Sequence, residues 1–140
     1  MKILDTDHVS EFLLGTSPAA QRLFRRLDQS TEPVAITIVS IEELMRGWLS
    51  LIHRQTRVHD QAVGYAKLQK MFEVVSRWLI SPWDVVSADI SEQQRRQKVR
   101  IWTMDLKIAS IALAHRGTVL TRNRVDFENV PNLTIEDWLQ

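Results

Sequence analysis

Pro33-Val34-Ala35-Ile36-Thr37-Ile38-Val39 is the stretch that decides the fold. It is β-branched and almost continuously apolar, without the alternation of a strand that has one wet face. A strand of this kind is buried on both sides, which happens in parallel sheets covered by helices. Toward the N-terminus, Met1-Lys2-Ile3-Leu4-Asp5 reads as a second, short strand. Thr6 or Asp7 then caps a helix through Val9, Phe12 and Leu13 that Gly15 ends. Ser17-Pro18 opens another helix, with proline at its preferred first position and Leu23, Phe24 and Leu27 on one face.

Beyond the central strand, Ser40 followed by Glu43 fits a capping box, so a helix is expected to start at Ser40. The pattern is helical again from about Arg57 to Ile80, with Val63, Leu68, Met71, Val74 and Val75 facing the core. Leu79-Ile80 before Pro82 suggests a short strand. Ser87 to Arg100 and Asp105 to His115 read as helices, the second terminated by Gly117. Thr118-Val119-Leu120-Thr121 and Leu133-Thr134-Ile135 read as strands. Strands alternating with helices predict an α/β fold, a three-layer α/β/α sandwich with a central, mostly parallel sheet. No linker or repeat divides residues 1–140, so one domain is expected.

Composition narrows the function classes. Of 140 residues 44% are hydrophobic and 25% charged, the profile of a globular domain with a real core. A net charge of +1 gives no global attraction to nucleic acid, so any such contact must come from local patches. The absence of cysteine excludes disulfides, thiolate metal sites and thiol nucleophiles. No apolar run is long enough to span a bilayer and no signal-peptide pattern opens the chain. A cytoplasmic protein is expected.

Acidic residues recur where strands or helices begin or end. Asp5 closes the first strand, Glu43 follows the second, and Asp105 opens an Ala- and Ile-rich helix. In open parallel sheets ligands sit beyond the carboxyl ends of the strands, so Asp5, the Ser40–Glu43 turn and Thr121–Asn123 are expected along one edge. Carboxylates set in apolar sequence are expensive to bury unless a cation gathers them, and a hard divalent ion such as Mg²⁺ suits oxygen ligands. Phosphodiester hydrolysis is the chemistry this implies. Each residue also has a plainer role: Asp5 as a helix cap, Asp105 as a dipole partner, Glu43 as the capping-box partner of Ser40, Asp126 as a turn former. Asp7 reads as a cap. The four histidines are scattered and read as non-catalytic. Arg95-Arg96-Lys98-Arg100 reads as a solvated helix face, with an RNA track as the alternative, and the tryptophans mostly as packing residues.

Leu4-Asp5-Thr6-Asp7-His8-Val9-Ser10, Glu43-Leu44-Met45-Arg46-Gly47, Asp105-Leu106-Lys107-Ile108-Ala109 and Leu120-Thr121-Arg122-Asn123-Arg124-Val125-Asp126-Phe127 follow one another in that order. Together they resemble the motifs of the PIN domain, specifically those of VapC toxins from type II toxin–antitoxin pairs. Val130-Pro131-Asn132-Leu133 and Glu136-Asp137-Trp138 resemble that family's ending. The resemblance implies a Mg²⁺- or Mn²⁺-dependent endoribonuclease acting on structured RNA such as tRNA or rRNA. It also implies a homodimer neutralised by a VapB-type antitoxin, with Trp48 and Leu49 a candidate dimer or antitoxin surface. By the same resemblance Asp5, Glu43 and Asp105 match the first three acidic positions, and either Asn123 or Asp126 the fourth. Asp5 and Asp105 are then the primary metal ligands, with Glu43 binding through water or orienting the attacking water. Thr6 and Thr121 are expected to hold carboxylate rotamers or a substrate phosphate, and Arg46, Lys107, Arg122 and Arg124 to hold RNA phosphates. Trp102 stands where relatives often have glycine. Two other readings compete. Asp5-Thr6-Asp7 imitates the paired aspartates of haloacid-dehalogenase-like phosphatases, and a PIN-like module can bind RNA or a partner without cutting.

Overall fold

In the computed structural model, which describes residues 1–140, the expected alternation forms. The first half runs β1 (Lys2–Leu4), α1 (Thr6–Leu14), α2 (Pro18–Gln29), β2 (Val34–Thr37), α3 (Ile38–Arg54), α4 (Ala62–Val75) and β3 (Leu79–Ser81). The second half runs α5 (Val85–Arg96), α6 (Thr103–Ala114), β4 (Thr118–Leu120), α7 (Arg124–Phe127) and β5 (Thr134–Glu136). All strand pairs are parallel, in the order β3-β2-β1-β4-β5.

The pleat sorts the core into two layers. Ile3, Ala35 and Val119 lie in register on one face, under Leu106, Ile108, Ala109, Ile111 and Ala112 of α6. Leu4, Ile36 and Leu120 lie in register on the other. Val9 and Leu13 of α1, Leu23 of α2, Ile41 and Leu44 of α3, and Met71 of α4 cover them. Burial on both faces explains why Val34–Thr37 reads as a continuous apolar run. No helix is long and apolar enough to cross a membrane.

Several boundaries differ from expectation, each for a local reason. Asp5, rather than Thr6 or Asp7, caps α1: its Oδ1 accepts from the Thr6 N–H at 2.7 Å. Helix α3 starts at Ile38 instead of Ser40, because Thr37 Oγ1 accepts from the Ser40 N–H at 2.9 Å. Glu43 is thereby released from the capping box. The helix expected over 57–80 is a 3-10 turn at Val58–Gln61 followed by α4, which ends at Val75. Helix α5 stops at Arg96, and Lys98 turns the chain with φ 61°. Gly117 does not supply the left-handed turn after α6, since Arg116 takes φ 50°. A Cβ on Gly117 would lie 3.0 Å from Ile3 Cδ1 and 3.3 Å from the Met1 carbonyl, so glycine is there for close approach to β1. The short helix α7 was not foreseen; the fully buried Phe127 pins it to the core.

Candidate active site

The sheet order reverses at β1: the chain moves outward through β2 and β3, then returns on the other side of β1 as β4 and β5. Such a reversal opens a crevice beyond the carboxyl ends of the central strands. Asp5 follows β1 and Thr121 follows β4, and they meet in that crevice. Thr121 Oγ1 donates to Asp5 Oδ2 at 2.8 Å and accepts from the Asn123 N–H at 3.0 Å.

Around this pair the other acidic positions assemble. Thr6 Oγ1 donates to Glu43 Oε2, joining the start of α1 to the first turns of α3. Asp105 enters from the first turn of α6. Asn123 Nδ2 donates to Asp105 Oδ2 at 3.3 Å and to Asp126 Oδ2 at 2.8 Å. The sequence left Asn123 and Asp126 as alternatives, and the fold brings both in, with one amide bridging two carboxylates.

The electrostatics of the cluster are those of crowded negative charge. Asp5 is 6% exposed; burial first, then the Asp7 charge, pushes its carboxyl up to about 7. Asp105 adds to that rise, while the Thr121 hydroxyl and the Thr6 N–H work against it. Burial, followed by Glu43, Asp126 and Asp7, pushes Asp105 up to about 6. Hydroxyls, an amide and backbone N–H groups are the donors inside the cluster. The cations nearest in sequence are engaged elsewhere. Arg46 pairs with Glu42 at 2.8 Å, Arg122 with Glu11 at 3.4 Å, and Arg124 with Glu128 at 3.0 Å. Lys107 Nζ lies 5.5 Å from the centroid of the Trp83 ring.

This donor set suits a hard divalent cation: oxygen ligands, excess negative charge, and no internal cation to neutralise it. The carboxylates share one edge without closing on a point, and no three acidic or histidine side chains are arranged as a finished metal cage. Mg²⁺ keeps much of its water and needs few protein ligands, so an open arrangement is compatible with it.

Two residues gain importance that the sequence reading did not give them. Asp7 faces the cluster, with Oδ2 accepting from the Arg122 N–H at 2.8 Å and Oδ1 bonded to His8 Nδ1 at 2.6 Å. His8 is fully buried, and its Nε2 accepts from the Trp138 N–H at 3.1 Å. The imidazole therefore links an acidic residue of the site to the C-terminal tail. The available signal was Asp7's position two residues after Asp5; nothing local in the sequence marks a histidine as a tether.

Beside the acidic edge runs an apolar groove of about 450 Å³. Ile38, Met45, Leu49 and Trp83 line it, together with Glu42, Arg46 and Lys107.

Comparison with known proteins places this geometry. The family model described as PIN domain matches residues 2–133. No curated protein sequence matches. Among solved structures, the chain is similar to one in DNA-bound VapBC from Salmonella typhimurium, with TM-score 0.78 and 21% identity over 98% of this chain and 97% of that one. It is similar to a chain of FitAcB from Neisseria gonorrhoeae, with TM-score 0.71 and 24% identity over 99% of this chain and 98% of that one. A third likeness is to VapBC-5 from Mycobacterium tuberculosis, a member of the VapBC family of toxin–antitoxin systems. Its TM-score is 0.61, with 21% identity over 97% of each chain. At these identities the structural likenesses establish the fold, and the matched family model establishes membership.

Proposed function

The chain belongs to the PIN-domain family, and from that premise we propose that it is a Mg²⁺- or Mn²⁺-dependent endoribonuclease acting as the toxin of a VapBC-type pair. The observation that carries the reading is the cluster at the β1/β4 crevice. Asp5 and Asp105 sit there with raised pKa values, beside Glu43, Asn123, Asp126 and Asp7, with no cation of the protein's own among them. Structured RNA such as tRNA or rRNA is the proposed substrate class.

Asp5 and Asp105 would hold the cation, and Glu43 would hold a water belonging to it. When bound, the metal supplies charge neutralisation at the phosphate and a lowered pKa for an attacking water. The chain's own residues do the positioning. Thr121 and the Thr6 N–H fix the Asp5 carboxylate from two sides, so its rotamer is set before substrate arrives. Thr6 holds Glu43 through one oxygen. In this assignment Glu43 Oε1 accepts the proton of the attacking water as a phosphorus–oxygen bond forms. The ester bond to the leaving oxygen breaks, with that oxygen taking a proton from solvent. Asn123 restrains Asp105 and Asp126.

Partners follow from the same reading. Two of the solved relatives named above carry VapBC names, so a VapB-type antitoxin is proposed here. The homodimer is proposed from the family resemblance. The apolar groove, which Arg46 and Lys107 also line, supports an unmet protein contact. The decisive experiment is incubation of purified, antitoxin-free protein with total RNA and Mn²⁺ or Mg²⁺, against EDTA and Asp105→Asn controls. Discrete fragments lost in both controls support the nuclease. Intact RNA from a folded protein, with RNA bound equally in EDTA, favours the non-cutting module.

A further inference from the structure

We propose that Trp102 and Arg100 form a subsite for one unpaired nucleotide of the RNA strand adjoining the acidic site, an inference that rests on the ribonuclease reading. The base would stack on the indole and its phosphate would meet the guanidinium.

Trp102 has no work to do in the fold. It is 77% exposed, whereas Trp138 is buried and Trp48, Trp78 and Trp83 are at least half covered. It occupies the N-cap position of α6 without making a side-chain cap. A singly exposed apolar side chain is ordinary, as Val58, Val85 and Val125 show here, so it is the company Trp102 keeps that argues for a ligand.

Its surroundings select the ligand. Trp102 lines a depression of about 400 Å³ with Arg95, Arg100, Ile101, Thr103 and Asp126. Asp126 belongs equally to the acidic cluster through its 2.8 Å bond from Asn123, so the depression shares a wall with the proposed cleavage site. Arg100 is exposed and has no carboxylate partner, unlike Arg46, Arg122 and Arg124. A polyanion approaching an acidic cluster needs a free cation on its flank, and Arg100 is placed to provide one. A cation beside an exposed aromatic face is the arrangement that holds single-stranded nucleic acid by stacking and phosphate contact. A paired base cannot offer its face to an indole, so the nucleotide must come from a loop, bulge or end.

The platform is also held in place. Arg95 Nη1 donates to the Val99 carbonyl at 3.3 Å and Arg95 Nη2 to the Ile101 carbonyl at 3.1 Å. The side chains of Val99 and Ile101 are buried in the core on either side. Trp102 therefore rides on restrained backbone, which limits the entropy lost when a base docks.

The test is fluorescence anisotropy in EDTA at low salt, with a labelled single-stranded RNA of about 12 nucleotides and the matching duplex. Wild type is expected to prefer the single strand. Trp102→Ala should weaken that binding by about 5- to 100-fold and Trp102→Phe by much less, as expected for loss of one stacked base. Arg100→Ala should flatten the slope of log K against log salt by about 0.7. In cleavage assays Trp102→Ala should raise KM more than it lowers kcat. Equal single-strand binding by wild type and Trp102→Ala, or no wild-type preference for the single strand, overturns the subsite. So does an unchanged affinity accompanied by a shift in the protein's own oligomeric mass, which would make this face a protein interface. Cleavage with an unchanged KM in Trp102→Ala removes the subsite and leaves the nuclease. Trp102-dependent binding without cleavage removes the nuclease and leaves the subsite.

Discussion

Asp5 and Thr121 stand 116 positions apart in the chain and are joined by a 2.8 Å hydrogen bond at the point where the sheet order reverses. The bond closes the crevice between β1 and β4 around a carboxylate that is 6% exposed. Thr121 spends its hydroxyl proton on Asp5 and its lone pair on the Asn123 N–H, so one side chain positions both ends of the acidic cluster. Thr121→Val, nearly equal in volume, should therefore lower cleavage by about tenfold or more, as loss of such an orienting contact commonly does. The fold should survive, as circular dichroism of the variant would verify. Undiminished activity would remove Thr121 from the site.

Stability without metal should fall as pH rises. Asp5 and Asp105, with folded-state values near 7 and near 6, hold protons that the unfolded chain has already released. Where the folded state binds more protons, stability decreases with increasing pH, here from about pH 4 to about pH 7. Thermal unfolding in EDTA should accordingly give a higher Tm at pH 5.5 than at pH 8, and Asp5→Asn should flatten that slope. Adding Mn²⁺ should raise Tm at pH 8 and do little at pH 5.5, because protons compete for the same oxygens. A Tm independent of pH in EDTA would mean the carboxylates are not crowded in solution.

Asn123→Asp separates the amide's two duties. The substitution removes both donated bonds, to Asp105 and to Asp126, and adds a carboxylate to the cluster. In EDTA at pH 8 the variant should be less stable than wild type by about 0.5 to 1.5 kcal/mol, the usual net worth of a hydrogen bond, since the bonds it loses are half-buried. It should also gain more stability than wild type when Mn²⁺ is titrated in. If Mn²⁺ stabilises both proteins equally, position 123 lies outside the cation's reach.

His8 should act as a tether. Its imidazole bridges Asp7 and the Trp138 N–H, and it is fully buried. His8→Ala should cost about 2 to 4 kcal/mol through a cavity and unpaired polar groups. It should also free the C-terminal tail, making the chain near Trp138 sensitive to chymotrypsin under conditions where wild type resists. Equal protease resistance at matched stability would assign the loss to packing alone.

How much of this was legible follows from the range of each interaction. The layers were readable because burial on both faces leaves a continuous apolar run, as at Val34–Thr37. That Asp5, Glu43 and Asp105 would gather along one edge was readable because each stands at the end of an apolar segment in a parallel sheet fold. The start of α3 is ambiguous in the sequence because Thr37 and Ser40 are both competent caps, and only β2 pairing makes Thr37 the last strand residue. Helix α7 was missed because four residues carry no periodicity; the distant core holds it through Phe127. Arg46–Glu42 and Arg124–Glu128 are i,i+4 pairs that helical spacing offers. The Arg122–Glu11 pair, 111 positions apart, and Trp102's exposure depend on neighbours that only the fold supplies.

Two glycines offer opposite outcomes from the same substitution. A Cβ on Gly64 would fall 2.6 Å from Ile52 Cγ1, and Ile52 is 1% exposed, with no room to retreat. Gly64→Ala should lower stability by about 1 to 3 kcal/mol by wedging α4 away from α3. Gly47 lies within α3, with nothing within 4 Å of its added Cβ. Gly47→Ala should raise stability by about 0.5 to 1 kcal/mol, since the helix gains a better former at no steric penalty. Denaturant titration of both variants checks the contrast. Gly47 is exposed on α3, one turn beyond Glu43. If Gly47→Ala is more stable but loses self-association or binding of a VapB-type partner, the glycine is retained there for the approach of a second chain. If it keeps both, its absence of a side chain serves neither fold nor partner.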